Sequence, residues 1–295
     1  MKNIILCIIA LAPLAVFSQV DILDRARDKV KSRTNQRIDR EMDKSLDKAE
    51  EKVFENNKSK PEGKSQHIQA YSRYDYIPGD QIIYAEDFLA DEIGELPLKW
   101  TTNNRGETVT VKNKAGKWMR LFPGSRFASP SFKKLPENFT VEMDLLLQFD
   151  GEGGYVYPEL ELKLLELAGA TGTRSFVVDQ EAANEVALTL LPGGTDKPMY
   201  AALKSYANGA GHFSNDPKEL KLISDNGGNV IHVSVWVQKE RVRYWINENK
   251  IFDIPLAIPP NAGFNHIGFS LESSVYDESQ LGMYISNHYC PTKIT

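Results

Sequence analysis

Residues 230–254, VIHVSVWVQKERVRYWINENKIFDI, constrain the fold more than any other stretch of the chain. Apolar residues at 231, 233, 235 and 237 alternate with His232, Ser234, Trp236 and Gln238, which is the period of a β-strand. The segment reads as three short antiparallel strands joined by two tight turns. A turn at Lys239-Glu240 sets Val237 against Val242, Val235 against Tyr244 and Val233 against Ile246, so one face is apolar. The opposite face carries His232, Ser234, Trp236, Arg243 and Trp245. One face builds a core and the other presents aromatic and polar groups together, as in a β-sandwich with a ligand-binding face.

From residue 81 onward the pattern is repeatedly that of strands. QIIYAEDF, ETVTVKN, KWMRLFP, NFTVEMDLLLQF, PELELKLLEL, EVALTLLP, HIGFSLE and LGMYISN are rich in β-branched, aliphatic and aromatic residues and are separated by turn residues. MYAALKSY reads as a strand or a short helix. In NFTVEMDLLLQF, Phe139, Val141, Met143, Leu145 and Leu147 share a face, and Glu142, Asp144 and Gln148 point the other way. In PELELKLLEL, Leu160, Leu162 and Leu164 oppose Glu159, Glu161 and Lys163. Alternation of this kind predicts one buried face per sheet and an all-β, two-sheet antiparallel jelly-roll sandwich of about ten to twelve strands over 78–290, with a tail at 291–295.

The first part of the chain is different. Residues 1–18 have a lysine followed by the apolar run Ile4 to Phe17, too short to span a bilayer, and predict a secretory signal cut before Gln19. Cys7 lies too near the start to serve as a lipid-attachment site. Residues 19–57 are dense in charge, with a thin stripe through Ala26, Val30, Thr34, Ile38, Met42, Leu46, Ala49 and Val53. This predicts a charged helical spacer of about 55 Å with at most weak self-association. Residues 58–77 read as a linker, in which Tyr71, Tyr74 and Tyr76 pack where the chain enters the sandwich. Removal of the signal leaves Cys290 alone, so no internal disulfide supports the fold. A net charge of −5 and a pI near 5.7 argue against nucleic acid as the partner.

Tyr84-Ala85-Glu86-Asp87-Phe88 with Leu96-Pro97 and Trp100, the strand Phe139 to Asp144, and the Val233-to-Asn249 hairpin resemble concanavalin A-like (laminin G-like) sandwiches. The spacer followed by YDYIPGDQIIYAEDF is similar to the N-terminal region of Gram-negative OmpA-like envelope proteins. That resemblance implies an envelope location, periplasmic or associated with the outer membrane and cell surface. It does not imply peptidoglycan binding, because the chain stops at Thr295 with no OmpA-like domain. The concanavalin A-like fold also houses retaining glucanases, whose strand motif is Glu-x-Asp followed by a second Glu. Glu142 and Asp144 match the first two positions, but 146 and 147 are both leucine, which cannot donate a proton. Glu159 and Glu161 are the remaining acids that could substitute from another strand.

Sugar binding asks for less. Pyranose C–H faces stack on aromatic rings and hydroxyls seek paired polar groups. Trp236, Trp245, Arg243, His232, Glu142 and Asp144 supply both on one predicted face. Asp150 and Glu152 in FDGEGG, and Asp225, Asn226 and Asn229 in SDNGGN, are the only loop candidates for calcium, and read first as turns. The five histidines are scattered, so neither zinc nor another cofactor is expected. Gly193-Gly194 and Gly227-Gly228 are turns without a phosphate-loop lysine, and Asn138-Phe139-Thr140 is a sequon inside a strand. The expectation is a non-enzymatic, secreted envelope module for binding or adhesion, with glycans as the leading ligand. The alternatives are a vestigial glycoside hydrolase and a structural spacer that binds nothing small.

Overall fold

A computed structural model describes residues 75–220 and 230–292. The predicted signal, the charged spacer, most of the linker with Tyr71 and Tyr74, and the SDNGGN loop lie outside the described residues. The rest forms two eight-stranded antiparallel sheets. The first runs β14 (Asn249–Ile254), β13 (Arg241–Ile246), β12 (Val230–Gln238), β6 (Asn138–Phe149), β16 (Leu281–Thr292), β4 (Trp118–Leu121) and β3 (Gly106–Val109), with β1 (Gln81–Glu86) also paired to β16. The second runs β10 (Ala210–Ser214), β9 (Met199–Ala207), β8 (Asn184–Leu191), β7 (Leu160–Glu166), β15 (His266–Leu271), β5 (Arg126–Ala128) and β2 (Thr101–Thr102), with β11 (Lys218–Leu220) on β9.

The β12–β13 hairpin has the register read from sequence, and β13 pairs with β14 with an irregularity between Tyr244 and Trp245. Val237 pairs with Val242, Val235 with Tyr244, Val233 with Ile246 and Trp236 with Arg243. Lys239 makes the turn in the left-handed region, with φ 54°. On its other side β12 pairs with β6, which sets Ser234 across from Glu142 and His232 across from Asp144. MYAALKSY is strand β9, not a helix.

The core lies between the sheets. Val141, Met143, Leu145, Val233, Val235 and Tyr244 from the first sheet meet Leu162, Leu164, Val186, Leu188, Leu203 and Phe269 from the second. Burying each such aliphatic side chain contributes roughly 1.5–3 kcal/mol. The expected single buried face fails on the central strands of both sheets, β6 and β7 among them. Thr140, Glu142, Asp144 and Leu146 of β6 are all buried on the outward side, and so is Lys163 of β7.

Among the described residues, sixteen strands stand where about ten to twelve are expected: β2, β5, β10 and β11 are new to the sequence reading, and so is one helix. Helix α1 (Gly169–Asp179) lies on the outer face of the second sheet, where Phe176 and Val177 pack against Ala128, Leu165 and Leu167. Gly268 makes room beneath it, since a Cβ there would fall 2.5 Å from Leu165 Cδ1 and 3.1 Å from the Phe176 ring. Gln180 ends the helix in a left-handed conformation and donates its N–H to the Phe176 carbonyl.

Candidate ligand-binding site

All six residues predicted to form a binding face share the outer surface of the first sheet. His232 Nδ1 lies 2.8 Å from Asp144 Oδ1, and its Nε2 lies 3.0 Å from Glu142 Oε2. The pairing of β12 with β6 produces this clamp, because His232 and Ser234 face Asp144 and Glu142 directly. Burial alone would lower the imidazole pKa. The hydrogen bonds to Asp144 and Glu142, with their charges, outweigh it and raise the pKa above its ordinary value. Both ring nitrogens then donate, one to each carboxylate. Glu142 Oε1 and Ser234 Oγ are buried without a hydrogen-bond partner.

The aromatic half of the face is packed as well. The Arg243 guanidinium lies 4.7 Å from the Trp236 ring centroid, and Nη1 donates to Gln238 Oε1 at 2.7 Å. Tyr76 meets Trp245 edge-on at 5.2 Å, and Gly79 N–H donates to Thr140 Oγ1 at 3.2 Å. Lys250 ties down the same segment through Asp75 at 2.6 Å. Tyr76 thus packs on the sheet, as expected for the point of entry. Phe252 does not cover the tryptophans, because it stacks on Tyr244 on the core side. Trp236 is 8% exposed, Trp245 0%, Glu142 1% and Asp144 4%. The register brings these residues together in a packed layer with little exposed surface.

The acids considered as substitutes do not join this cluster. Glu161 lies on β7 of the second sheet and faces outward there, and Glu159 immediately precedes that strand. Lys163 lies 3.0 Å from Glu161 and 2.6 Å from Glu185. Burial alone would lower its pKa, but these two carboxylates raise it. Among the described residues, no group of three or more His, Cys, Asp or Glu is arranged to hold a metal ion, and no helix is long and apolar enough to cross a membrane. Asp150 and Glu152 sit in an exposed turn, and Gly193 turns the chain with φ 75°.

An open cleft of about 570 Å³ lies at the end of the first sheet, where β6, β16 and β4 meet the loops after β6 and before β16. Arg120, Gln148, Asp150, Tyr155, Tyr157 and Tyr284 line it together with the Glu278–Gly282 turn. Its aromatic wall is built around Phe149. Tyr155 stacks on that ring at 4.5 Å with planes 14° apart, Tyr276 meets it edge-on at 5.1 Å, and Tyr157 meets Tyr155 edge-on at 5.3 Å. The Tyr157 hydroxyl is buried without a hydrogen-bond partner, and burial pushes its pKa up. The opposite wall is tied to the sheet. Arg105 bonds the Glu278 carboxylate, Arg120 Nη2 donates to the Glu278 and Leu281 carbonyls, and both guanidiniums lie over the Phe122 ring. Asp150 N–H donates to the Gln280 carbonyl at 2.8 Å and joins the two loops. From sequence, Gln148 reads as outward-facing and Asp150 as a turn or calcium candidate, and the other lining residues carry no site assignment. Their one visible signal is the Tyr-Val-Tyr run directly after the glycine-rich turn FDGEGG.

No family model matches the chain, and no curated protein matches it. Solved structures similar to it include the carbohydrate recognition domain of Emp47p (12% identity, TM-score 0.45, 72% of this chain and 96% of that one). A Bacillus licheniformis β-glucanase is similar at 15% identity and TM-score 0.43, over 72% and 98% of the two chains. A Bacillus subtilis protein of unknown function with a galectin-like fold is similar at 12% identity and TM-score 0.43, over 73% and 99%. At such values no residue role or activity is carried over. The two packed sheets define an all-β antiparallel sandwich.

Proposed function

We propose that the chain is a non-enzymatic glycan-binding or adhesion module of the cell envelope, and that the end cleft takes the sugar. The observation that carries this reading is the pairing of an aromatic wall with unspent polar groups in one open concavity. Stacked aromatics match the C–H faces of pyranose rings, and convergent amides, phenols and a guanidinium match hydroxyls. The charges nearly cancel, because Arg120 stands against Asp150 and Glu278 is neutralised by Arg105. That balance fits a neutral glycan better than an acidic one.

The Trp236–Trp245 face is assigned a structural role, since a ligand would have to unpack it. A vestigial hydrolase is the second reading, and the bare Glu142 Oε1 is the observation that favours it. Against it stand Leu146 and Leu147 where a third acid is needed, and the engagement of both acids by His232. The secretory signal and the spacer's resemblance to OmpA-like envelope proteins supply the proposed location, and weak self-association through the spacer belongs to the same reading. A glycan array probed with the chain lacking residues 1–18 tests the function. Neutral oligosaccharides are expected to bind, and Tyr155→Ala, with its unfolding transition showing that it remains folded, is expected to weaken binding at least about tenfold. An array without hits, or hits indifferent to Tyr155, contradicts the reading.

A further inference from the structure

One glycine shapes the polar floor of the cleft. Gly282 and Tyr284 lie two residues apart on β16 and therefore share the outer face. In register, Gly282 stands across from Gln148, while Tyr284 stands across from Leu146 on one side and Arg120 on the other. A Cβ built at position 282 would fall 2.5 Å from Tyr284 Oη, 2.6 Å from Cε2 and 2.8 Å from Cζ. The phenol end of Tyr284 thus reaches back along the strand and fills the place of the missing side chain. That puts its hydroxyl in the row of Gly282 and Gln148, away from its own pairing partner Leu146. Both Tyr284 and Gln148 line the cleft, and among the described residues neither the phenol oxygen nor the Gln148 amide has a protein partner.

We propose that Gly282 is a specificity-determining residue of the cleft: by carrying no side chain, it lets the Tyr284 phenol and the Gln148 amide together engage vicinal hydroxyls of a neutral pyranose. The proposal rests on the glycan-binding reading and deepens it. A phenol and a primary amide each donate and accept, as each hydroxyl of a vicinal diol does. Any larger residue at 282 would push the phenol out of the row and leave Gln148 to bind alone. The backbone itself does not require glycine here, because Gly282 is not among the positive-φ positions and a Cβ would meet only the far end of a movable ring.

The test uses the full chain and an oligosaccharide selected on the array. Gly282→Ala and Tyr284→Phe should each weaken binding roughly five- to tenfold, the loss of one hydrogen bond to a sugar hydroxyl. The double variant should bind no worse than the weaker single variant, because both changes remove the same contact. Unfolding temperatures should stay near that of wild type, and a crystal structure of Gly282→Ala should find the Tyr284 ring swung away from position 282. Wild-type affinity in Gly282→Ala, or a ring that stays in place, overturns the proposal and leaves the glycan reading intact. A wild-type chain that binds no sugar overturns both.

Discussion

His232 decides how a buried acidic pair survives inside this sandwich. Two carboxylates two residues apart on one strand repel each other, and burial deepens the cost. The imidazole between them donates to both and carries the compensating charge. Its pKa is raised in the folded chain, so its stabilising effect is full below the unfolded value of about 6.5 and is lost as pH rises through the folded value. Removing the ring should cost roughly 3–5 kcal/mol, because Asp144 and Glu142 each lose a hydrogen bond and the charge that offsets theirs. Urea unfolding of wild type and His232→Ala across pH 6–9 checks this. The difference between the two should shrink as pH rises, and a constant difference would show that the imidazole is not held as a cation. On the other face of the same strand, Val235 is 0% exposed, and Val235→Asp should cost several kcal/mol in the same assay.

At the scale of elements, legibility followed period and charge. The β12–β13 hairpin was legible to the residue, because alternation with a single good turn admits one register, and so was the span of β6. Helix α1 was not. GATGTRSFVVD contains two glycines, two threonines and adjacent valines, lacks a side-chain cap, and buries only Phe176 and Val177. Tertiary packing over Gly268 makes it a helix, and local sequence has no record of that contact. The placement of the six aromatic and polar residues on one face was legible for the same reason as the hairpin. Their closure was not, because alternation tells direction and not cover. The end cleft was hidden because its lining converges from three strands and two loops distant in sequence. Tyr155 and Tyr157 follow their glycine turn visibly, but nothing local announces that Arg120 and Tyr284 meet them.

At the scale of the molecule, the sandwich carries its own core. The buried set runs from Tyr76 to Ile285 and is closed by long-range pairing, above all that of β6 with β12 and β16. Residues 70–295 should therefore unfold cooperatively at nearly the temperature of 19–295. Calorimetry of the two chains checks this, and an unfolded shorter chain would move the domain boundary into the spacer. On the proposed reading, a neutral glycan binds at the end of the sandwich and not across the tryptophan-bearing sheet face. The most direct measurement is a crystal structure of the chain with an array-selected oligosaccharide. Sugar is expected in the cleft, against Tyr155 and within hydrogen-bond reach of Gln148 and Tyr284, with Trp236 and Trp245 still buried. Sugar lying over Trp236 and Trp245, with Tyr76 displaced, would contradict it.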